Sequence, residues 1–232
     1  FILLIVLCLI GMFATSAAAA EAEIKSCVAV KTMEPNLPAG VKQVWGRVAK
    51  FWPDGSKLRV RFLTGTKRQK EEAWKRFQSV DALVNLSFEQ VTTGASDVRV
   101  RFDRGQGHWS VLGTDSRSIP SNAQTMNLDL MAGILGDKRA EWDRVVIHEV
   151  LHAIGLEHEH QSPAAAALVW NKPAVYAYYA RTQGWSAQQV DFQVINRSRA
   201  TAIIGSAWDA KSIMEYPIPP GLANVVVGWN DK

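Results

Sequence analysis

Four short stretches of the chain have the character of β-strands, and three of them alternate apolar and polar positions. In chain order they are Leu58–Phe62, Leu86–Val91, Val98–Phe102 and Met126–Leu130. Alternation with a period of two is typical of a strand that buries one face. A loop region marked by Gly105, Gly107 and Gly113 separates the last two stretches. The pattern therefore predicts four strands.

Other segments follow the helical period. Thr66 followed by Gln69 is typical of a capping box at a helix start. The apolar residues after this box fall on one helical face: Ala73, Trp74, Phe77 and Val80. The pattern turns helical again after Glu141, so the sequence predicts two helices in this part of the chain.

Two further helix starts are predicted near the C-terminus. Pro173 suits the first position of a helix, and Ser186 forms a second capping box with Gln189. Because the strands come first and most helices later, the order of elements favours an α+β fold over alternating βαβ units.

The composition is that of a globular chain. Of 232 residues, 47% are hydrophobic and 21% are charged, which excludes disordered and collagen-like classes. The length suits one large domain or two small ones. The two cysteines, Cys8 and Cys27, are too few for a disulfide-dense secreted scaffold.

The charge balance is nearly even, with 26 basic and 22 acidic residues. Five arginines lie in or directly after two predicted strands, at positions that alternate with apolar residues: Arg59, Arg61, Arg99, Arg101 and Arg104. A solvated sheet face needs polar side chains at such positions. We interpret them as solvent-facing residues, and no nucleic-acid partner is predicted.

The first twenty residues have the pattern of a secretory signal peptide. Residues 1–13 are almost wholly apolar and uncharged, and residues 17–20 are alanines that suit a signal peptidase. We expect cleavage near Ala20 and a secreted, extracellular protein (periplasmic in a Gram-negative cell) without stable membrane association. The alternative is an uncleaved anchor, since a stretch of about 20 apolar residues spans a bilayer.

Residues 21–50 contain prolines and glycine but few patterned apolar residues, so we expect a pro-segment or an N-terminal arm. Cleavage of the signal peptide would leave Cys27 as the single thiol. Stability then has to come from packing and from metal. The remaining residues, 51–232, are expected to form the folded domain.

The histidines define the candidate chemistry. Four of the chain's five histidines lie between His148 and His160. His148 and His152 are four residues apart, so both rings project from one face of a helix. Gly155 permits the left-handed conformation that ends a helix and reverses the chain. That turn can bring His158 to the same ion as a third ligand.

Three neutral imidazoles with an open fourth position are typical of a catalytic zinc site. Glu149 neighbours His148 and is placed to act as a base and not as a ligand. We expect one Zn²⁺, which makes a bound water acidic near neutral pH while Glu149 takes and returns the proton. His160 is expected in a second layer or at the surface, and His108 has no predicted ligand role.

The segment from His148 to His158 resembles the metzincin zinc-binding signature. Ser212–Tyr216 looks like the methionine turn that metzincins also need, and Glu159 after the third histidine is similar to the astacin-like zinc endopeptidases. Phe51–Gly55 resembles the start of the astacin catalytic domain, and His108–Gly113 resembles the loop before its edge strand. The likeness runs from about residue 51 to the C-terminus.

The resemblance implies a fold and a set of roles. The fold is a twisted, mostly parallel N-terminal sheet with an antiparallel edge strand and two long helices, facing a smaller irregular, helical C-terminal subdomain across a zinc cleft. The zinc ligands would be His148, His152 and His158. Glu149 would be the general base and acid, Tyr216 would stabilise the oxyanion, and Met214 would form a hydrophobic floor. Residues 51–232 would be the catalytic domain.

The expected substrates are proteins or peptides, bound in extended form against Met126–Leu130 as the candidate edge strand. The family's disulfides are missing here, and Glu215 replaces a frequent histidine. In the family, the counterpart of Glu159 contacts the freed amino terminus. The family usually continues with a further helix, which leaves open a truncation at the C-terminus.

Three alternatives stay open at this point. A serralysin-like enzyme usually carries calcium repeats, and a matrix-type protease favours serine after the third histidine. A catalytically silent, zinc-stabilised binding module is the third alternative. A role for Cys27 as a thiolate ligand that blocks the metal is not favoured, because no recognisable switch motif surrounds this residue. The oligomeric state is not predicted.

Overall fold

A computed structural model of the chain describes residues 28–30, 45–129 and 139–228. The predicted signal peptide, Cys27 and most of residues 21–44 lie outside the described residues. The strands are β1 (Val28–Val30), β2 (Gly46–Arg47), β3 (Lys57–Phe62), β4 (Ser87–Gln90), β5 (Val98–Arg101), β6 (Trp109–Val111), β7 (Met126–Asn127) and β8 (Ile203–Ile204). The α-helices are α1 (Lys67–Asp81), α2 (Arg139–Ile154), α3 (Lys172–Gln183) and α4 (Ala187–Val190).

Six of the strands form a mixed sheet in the order β1-β6-β7-β5-β3-β4. Strands β4, β3, β5 and β7 are parallel to one another, and β6 runs antiparallel to β7. Strand β1 lies on the outer side of β6 and is parallel to it, with Val28 opposite Trp109. The mostly parallel sheet, with its helices, confirms the predicted α+β fold.

The prediction that Met126–Leu130 forms the edge of the sheet is wrong. Strand β7 covers Met126–Asn127 and lies between β5 and β6, so both of its sides are hydrogen-bonded. The antiparallel strand is β6, Trp109–Val111. Alternation of apolar and polar residues identifies a strand but says nothing about its neighbours, since pairing is set by distant segments.

Helix α1 begins as its capping box predicts. The Gln69 backbone N–H donates to the Thr66 hydroxyl at 3.2 Å, and the Thr66 N–H donates to the Gln69 side chain at 2.8 Å. The predicted apolar face packs on the sheet, where the Phe77 ring meets the rings of Phe62 and Phe88 edge-on. This contact belongs to a core that also buries one side of α2.

The arginine pattern is solvent-facing only in part. Arg99 is 3% exposed, which contradicts the prediction for this residue. Its guanidinium lies under the loop of residues 113–123 and donates to four backbone carbonyls, among them Ala123 at 2.5 Å and Ser96 at 2.7 Å. The carbonyls of an irregular loop need donors, and Arg99 supplies them.

The C-terminal half forms a second, smaller unit with its own core. Helix α3 starts at Lys172, with Pro173 in its first turn, and Ser186 caps α4 through the predicted box with Gln189. A π-helical turn, Asp191–Ile195, follows α4 directly. These elements enclose a cluster that includes Val175, Tyr179, Val190, Val194, Tyr216 and Ile218.

Residues 45–50, which were predicted to belong to the pro-segment or arm, pack into the fold. Trp45 is 1% exposed, and strand β2 pairs with β8 in an antiparallel ladder. Arg47 donates to the Glu157 carboxylate at 2.5 Å, and the Lys50 ammonium lies 2.8 Å from Asp115. Both ion pairs are buried, so this segment is tied to the turn after α2 and to the loop after β6. None of the helices described in the structure is long and apolar enough to cross a bilayer.

Candidate metal centre

Helix α2 places the first two histidines. It ends at Ile154, and His148 and His152 lie one turn apart on its last two turns. The apolar residues of these turns are buried in the N-terminal core: Val146, Val150, Ala153 and Ile154. Because these neighbours anchor the helix, the two imidazoles are held in fixed positions on its remaining face.

Gly155 turns the chain back toward those rings. Its φ angle is 115°, a backbone conformation that residues other than glycine rarely adopt. A Cβ atom at this position would lie 2.9 Å from the Lys50 carbonyl oxygen. The reversal brings His158 against the helix, so the glycine is needed both for the turn and for the close approach of the N-terminal arm.

The three imidazoles converge as the sequence predicts. His148, His152 and His158 offer ligand atoms that all lie within 4.8 Å of one another, and all three side chains are buried. The Nε2 atom of His158 is 3.3 Å from that of His148 and 3.0 Å from that of His152. Two nitrogens bound to one tetrahedral zinc at about 2.05 Å would be separated by about 3.3 Å. The observed spacing therefore fits a zinc ion.

The outer ring nitrogens fix the tautomers. The Nδ1–H of His148 donates to the Ile213 carbonyl, and that of His152 donates to the Leu156 carbonyl, each at 2.7 Å. Since a carbonyl only accepts, both Nε2 atoms keep lone pairs that face His158. The pKa of His148 lies well below its ordinary value, mainly because the ring is buried and secondly because His152 is close to it. A neutral ring with an inward lone pair is the form that binds metal.

Glu149 lies between the two helical ligands in sequence and is completely buried. Burying a carboxylate costs free energy unless polar or charged groups lie against it. A cation bound at the histidine cluster would be such a group. The structure therefore places the predicted base on the helix that holds two of the three rings.

The methionine turn contacts the histidine segment at three points. Ile213 receives the hydrogen bond from His148, and the Glu159 backbone N–H donates to the Met214 carbonyl at 3.0 Å. Met214 is 3% exposed. The Tyr216 ring lies 4.3 Å from the ring of His158, measured between centroids. The turn thus contacts the first and third histidines.

His160 lies in a second layer behind the three rings, one of the two places predicted for it, and it pairs there with Glu215, for which no role was predicted. His160 is fully buried, and its Nδ1–H donates to the Glu215 carboxylate at 3.0 Å. Burial and the neighbouring Glu215 raise the pKa of Glu159 to about 7. The sequence did hold one pointer to this cluster, because Glu215 is a charged residue between the apolar Met214 and Tyr216.

Among the described residues, His108 lies outside the cluster of three rings. It is partly buried, and burial lowers its pKa from 6.5 to about 4. Asp129 and Glu141 oppose this shift but do not cancel it. The neutral ring is therefore the form that the folded protein favours.

This shift predicts acid sensitivity. The pKa of His108 is 6.5 in the unfolded chain and about 4 in the folded chain. The contribution of the neutral ring to the free energy of unfolding is therefore complete above pH 6.5 and is lost as the pH falls toward 4. The full loss is on the order of 3 kcal/mol. In urea titrations with a chelator present, we expect the free energy of unfolding of His108→Asn to fall less than that of the parent between pH 6.5 and pH 4. Equal losses in the two proteins would contradict this assignment.

Three features define the metzincin class of zinc peptidases. They are a helix that bears two histidines and a glutamate, a glycine turn to a third histidine, and a methionine turn next to the rings. The chain belongs to the astacin family, since the family model described as Astacin (Peptidase family M12A) matches residues 46–219. It is thus a zinc metalloendopeptidase, with proteins or peptides as its class of substrate. The serralysin-like and matrix-type alternatives are excluded by this membership.

Solved structures agree with this membership. One structure of myroilysin is 36% identical, with a TM-score of 0.76 over 81% of this chain and 91% of that chain. A second, a crystal structure of myroilysin, is 35% identical, with a TM-score of 0.58 over 82% of this chain and 83% of that chain.

A more distant similarity supports the fold alone. High choriolytic enzyme 1, a hatching enzyme zinc-protease from Oryzias latipes (medaka fish), is 16% identical, with a TM-score of 0.50 over 78% of this chain and 86% of that chain. A comparison with curated protein sequences gives no match.

Proposed function

We propose that the chain is a secreted endopeptidase in which His148, His152 and His158 hold one zinc ion and Glu149 is the general base and acid. The observation that supports it best is the convergence of three buried imidazoles, with the Nε2 atom of His158 at 3.0 and 3.3 Å from those of the other two rings, beside a buried carboxylate. The zinc chemistry of the family accounts for the ion, and the roles of the individual side chains are our assignment.

Each residue of the proposed site has its own role in the hydrolysis. Zinc, when bound, polarises a carbonyl group and makes a water molecule acidic enough to act as a nucleophile near neutral pH. Glu149 takes the proton of the attacking water and delivers it to the leaving amine. The carbonyls of Ile213 and Leu156 hold two ligand rings in the required tautomer. Met214 supplies the apolar floor.

Tyr216 is the proposed donor to the oxyanion of the tetrahedral intermediate. We expect Tyr216→Phe to lower kcat on the order of 100-fold, because one such donor is lost. Zinc content is expected to stay the same. The matched control is Tyr179→Phe, which changes another buried tyrosine of the C-terminal core and leaves kcat within about twofold. Equal kcat values for Tyr216→Phe and the parent would remove Tyr216 from the mechanism.

Strand β6 replaces Met126–Leu130 as our candidate for substrate binding. Its outer side forms the ladder with β1, which shows that an added strand fits there. We infer that an extended peptide pairs with Trp109–Val111 by strand addition. Residues 21–44 would then be a pro-segment whose strand covers this edge until it is removed.

Deleting residues 21–44 is expected to raise kcat/KM for a long peptide, because β6 becomes available for pairing. The test compares the shortened protein with the full-length exported chain on the same peptide, with zinc content as the control. If kcat/KM does not rise, this edge is not the substrate strand or the segment does not block it.

Secretion is proposed from the apolar residues 1–13 and the alanines at 17–20. Mass spectrometry of the exported protein gives its amino terminus directly. A terminus near residue 21 is expected before activation, and one near residue 45 is expected after it. An intracellular protein that retains residues 1–20 would refute this part of the proposal.

The function as a whole is tested by casein hydrolysis with and without a chelator. Hydrolysis that stops with chelator and returns with zinc is the expected result. A silent, zinc-stabilised binding module would instead unfold on metal loss without any prior hydrolysis. Such an outcome would contradict the proposed peptidase.

A further inference from the structure

Glu215 is a fully buried carboxylate with three donors around it. Its Oε1 atom accepts from the Tyr216 backbone N–H at 2.9 Å and from His160 Nδ1–H at 3.0 Å. Its Oε2 atom accepts from the Trp208 indole N–H at 2.6 Å. These donors come from the methionine turn, the turn after His158 and the loop before Ser212. One side chain therefore joins three segments.

Such a group is costly at this position. A buried carboxylate loses its hydration, and an apolar residue of similar volume often serves stability equally well. The residues on either side of Glu215, Met214 and Tyr216, are themselves buried. A charged group in this turn is therefore better explained by what it positions than by the stability of the turn.

What Glu215 positions is the Tyr216 ring. The ring centroid lies 4.3 Å from that of His158 and 4.6 Å from that of His160. The Nε2 atom of His160 lies 3.3 Å from the Gln193 carbonyl oxygen. Its ring also stacks on that of His158, with 13° between the planes. Glu215 thus fixes Tyr216 from two sides, through its backbone N–H and through the neighbouring His160 ring.

We propose that Glu215, acting with His160, is a positioning residue that sets the Tyr216 phenol relative to the metal centre. This inference rests on the proposed function, in which Tyr216 stabilises the oxyanion. A phenol that is displaced slightly still lets the substrate bind but meets the transition state poorly. The effect of Glu215 must therefore pass through the hydroxyl of Tyr216.

A double-mutant cycle tests that route. We expect Glu215→Ala to lower kcat about tenfold with KM within about twofold, since only transition-state stabilisation is lost. In the Tyr216→Phe background the same substitution should change kcat by less than about twofold, because the group that it positions is gone. If Glu215→Ala lowers kcat equally in both backgrounds, or leaves it unchanged in the parent, the proposal is overturned.

The second readout is binding. A phosphinic peptide resembles the tetrahedral intermediate, so its affinity reports the placement of the phenol without turnover. We expect Glu215→Ala to weaken this affinity about tenfold in the parent and by less than about twofold in the Tyr216→Phe background, which lacks the hydroxyl. Zinc content should remain one per chain in all four proteins. Loss of zinc from Glu215→Ala would show a structural role and would overturn the proposal.

His160 keeps the proposal testable if Glu215→Ala does not fold. His160→Ala removes one donor to the carboxylate, and His160→Gln restores an N–H donor at that position. We expect the alanine variant to lower kcat and the affinity for the phosphinic peptide, and the glutamine variant to recover most of both. Equal losses in the two variants would contradict the proposed contact. A parent that neither hydrolyses peptides nor binds the phosphinic peptide would instead refute the proposed function.

Discussion

Glu149→Gln is expected to lower kcat by about 10²- to 10⁴-fold, the contribution typical of a general acid and base. Glutamine has nearly the same shape as glutamate but cannot take a proton from the attacking water. The metal should stay in place, because His148, His152 and His158 are unchanged. The enzyme would thus lose its chemistry and keep its fold and its ion.

The measurement pairs peptide hydrolysis with zinc content. Glu141→Gln is the matched control, since it makes the same change on the same helix at a residue that pairs with Arg144 and is not a member of the histidine cluster. This control is expected to leave kcat within about twofold. A zinc-loaded Glu149→Gln protein that hydrolyses peptides at the parent rate would refute the role of Glu149.

His152→Ala is expected to remove the ion. The ring supplies one of three inward nitrogens, and its loss leaves two ligands for a metal that prefers four-coordinate sites. Even residues that only support a ligand are worth about 10- to 100-fold in metal affinity. We therefore expect zinc affinity to fall by at least about 100-fold and activity to disappear at ordinary zinc concentrations.

The control for this variant is His108→Ala, which also removes an imidazole but lies outside the cluster of the three described ligands. Zinc titration with a competing chelator measures both proteins. The control should bind zinc as tightly as the parent. Tight binding by His152→Ala, or equal weakening in both variants, would show that the ion is held elsewhere.

The local parts of the site could be predicted from the sequence because helical geometry sets them. The spacing of His148 and His152 places two rings on one face of α2, and Gly155 supplies the left-handed turn to His158. The capping boxes at Thr66 and Ser186 are equally local, and both are present. Such features depend on residues within about one or two turns of each other.

The parts that failed depend on contacts between distant segments. Strand β7 was expected at the edge, but β6 pairs with it, and nothing in the local pattern of Met126–Asn127 encodes that partner. Arg99 looks like a surface residue in its strand, yet a loop of the chain covers it. Glu215 and His160 are 55 positions apart, so their contact is set by the packing of two turns.

One zinc ion bound by three imidazoles is the basis of the proposed chemistry. X-ray absorption at the zinc edge measures these ligands, on purified protein with Cys27→Ser so that its thiol cannot bind the metal. We expect one zinc per chain with three imidazole nitrogens at about 2.0–2.1 Å and a further oxygen. A protein without zinc, or a zinc ion with fewer than three imidazole ligands, would contradict it.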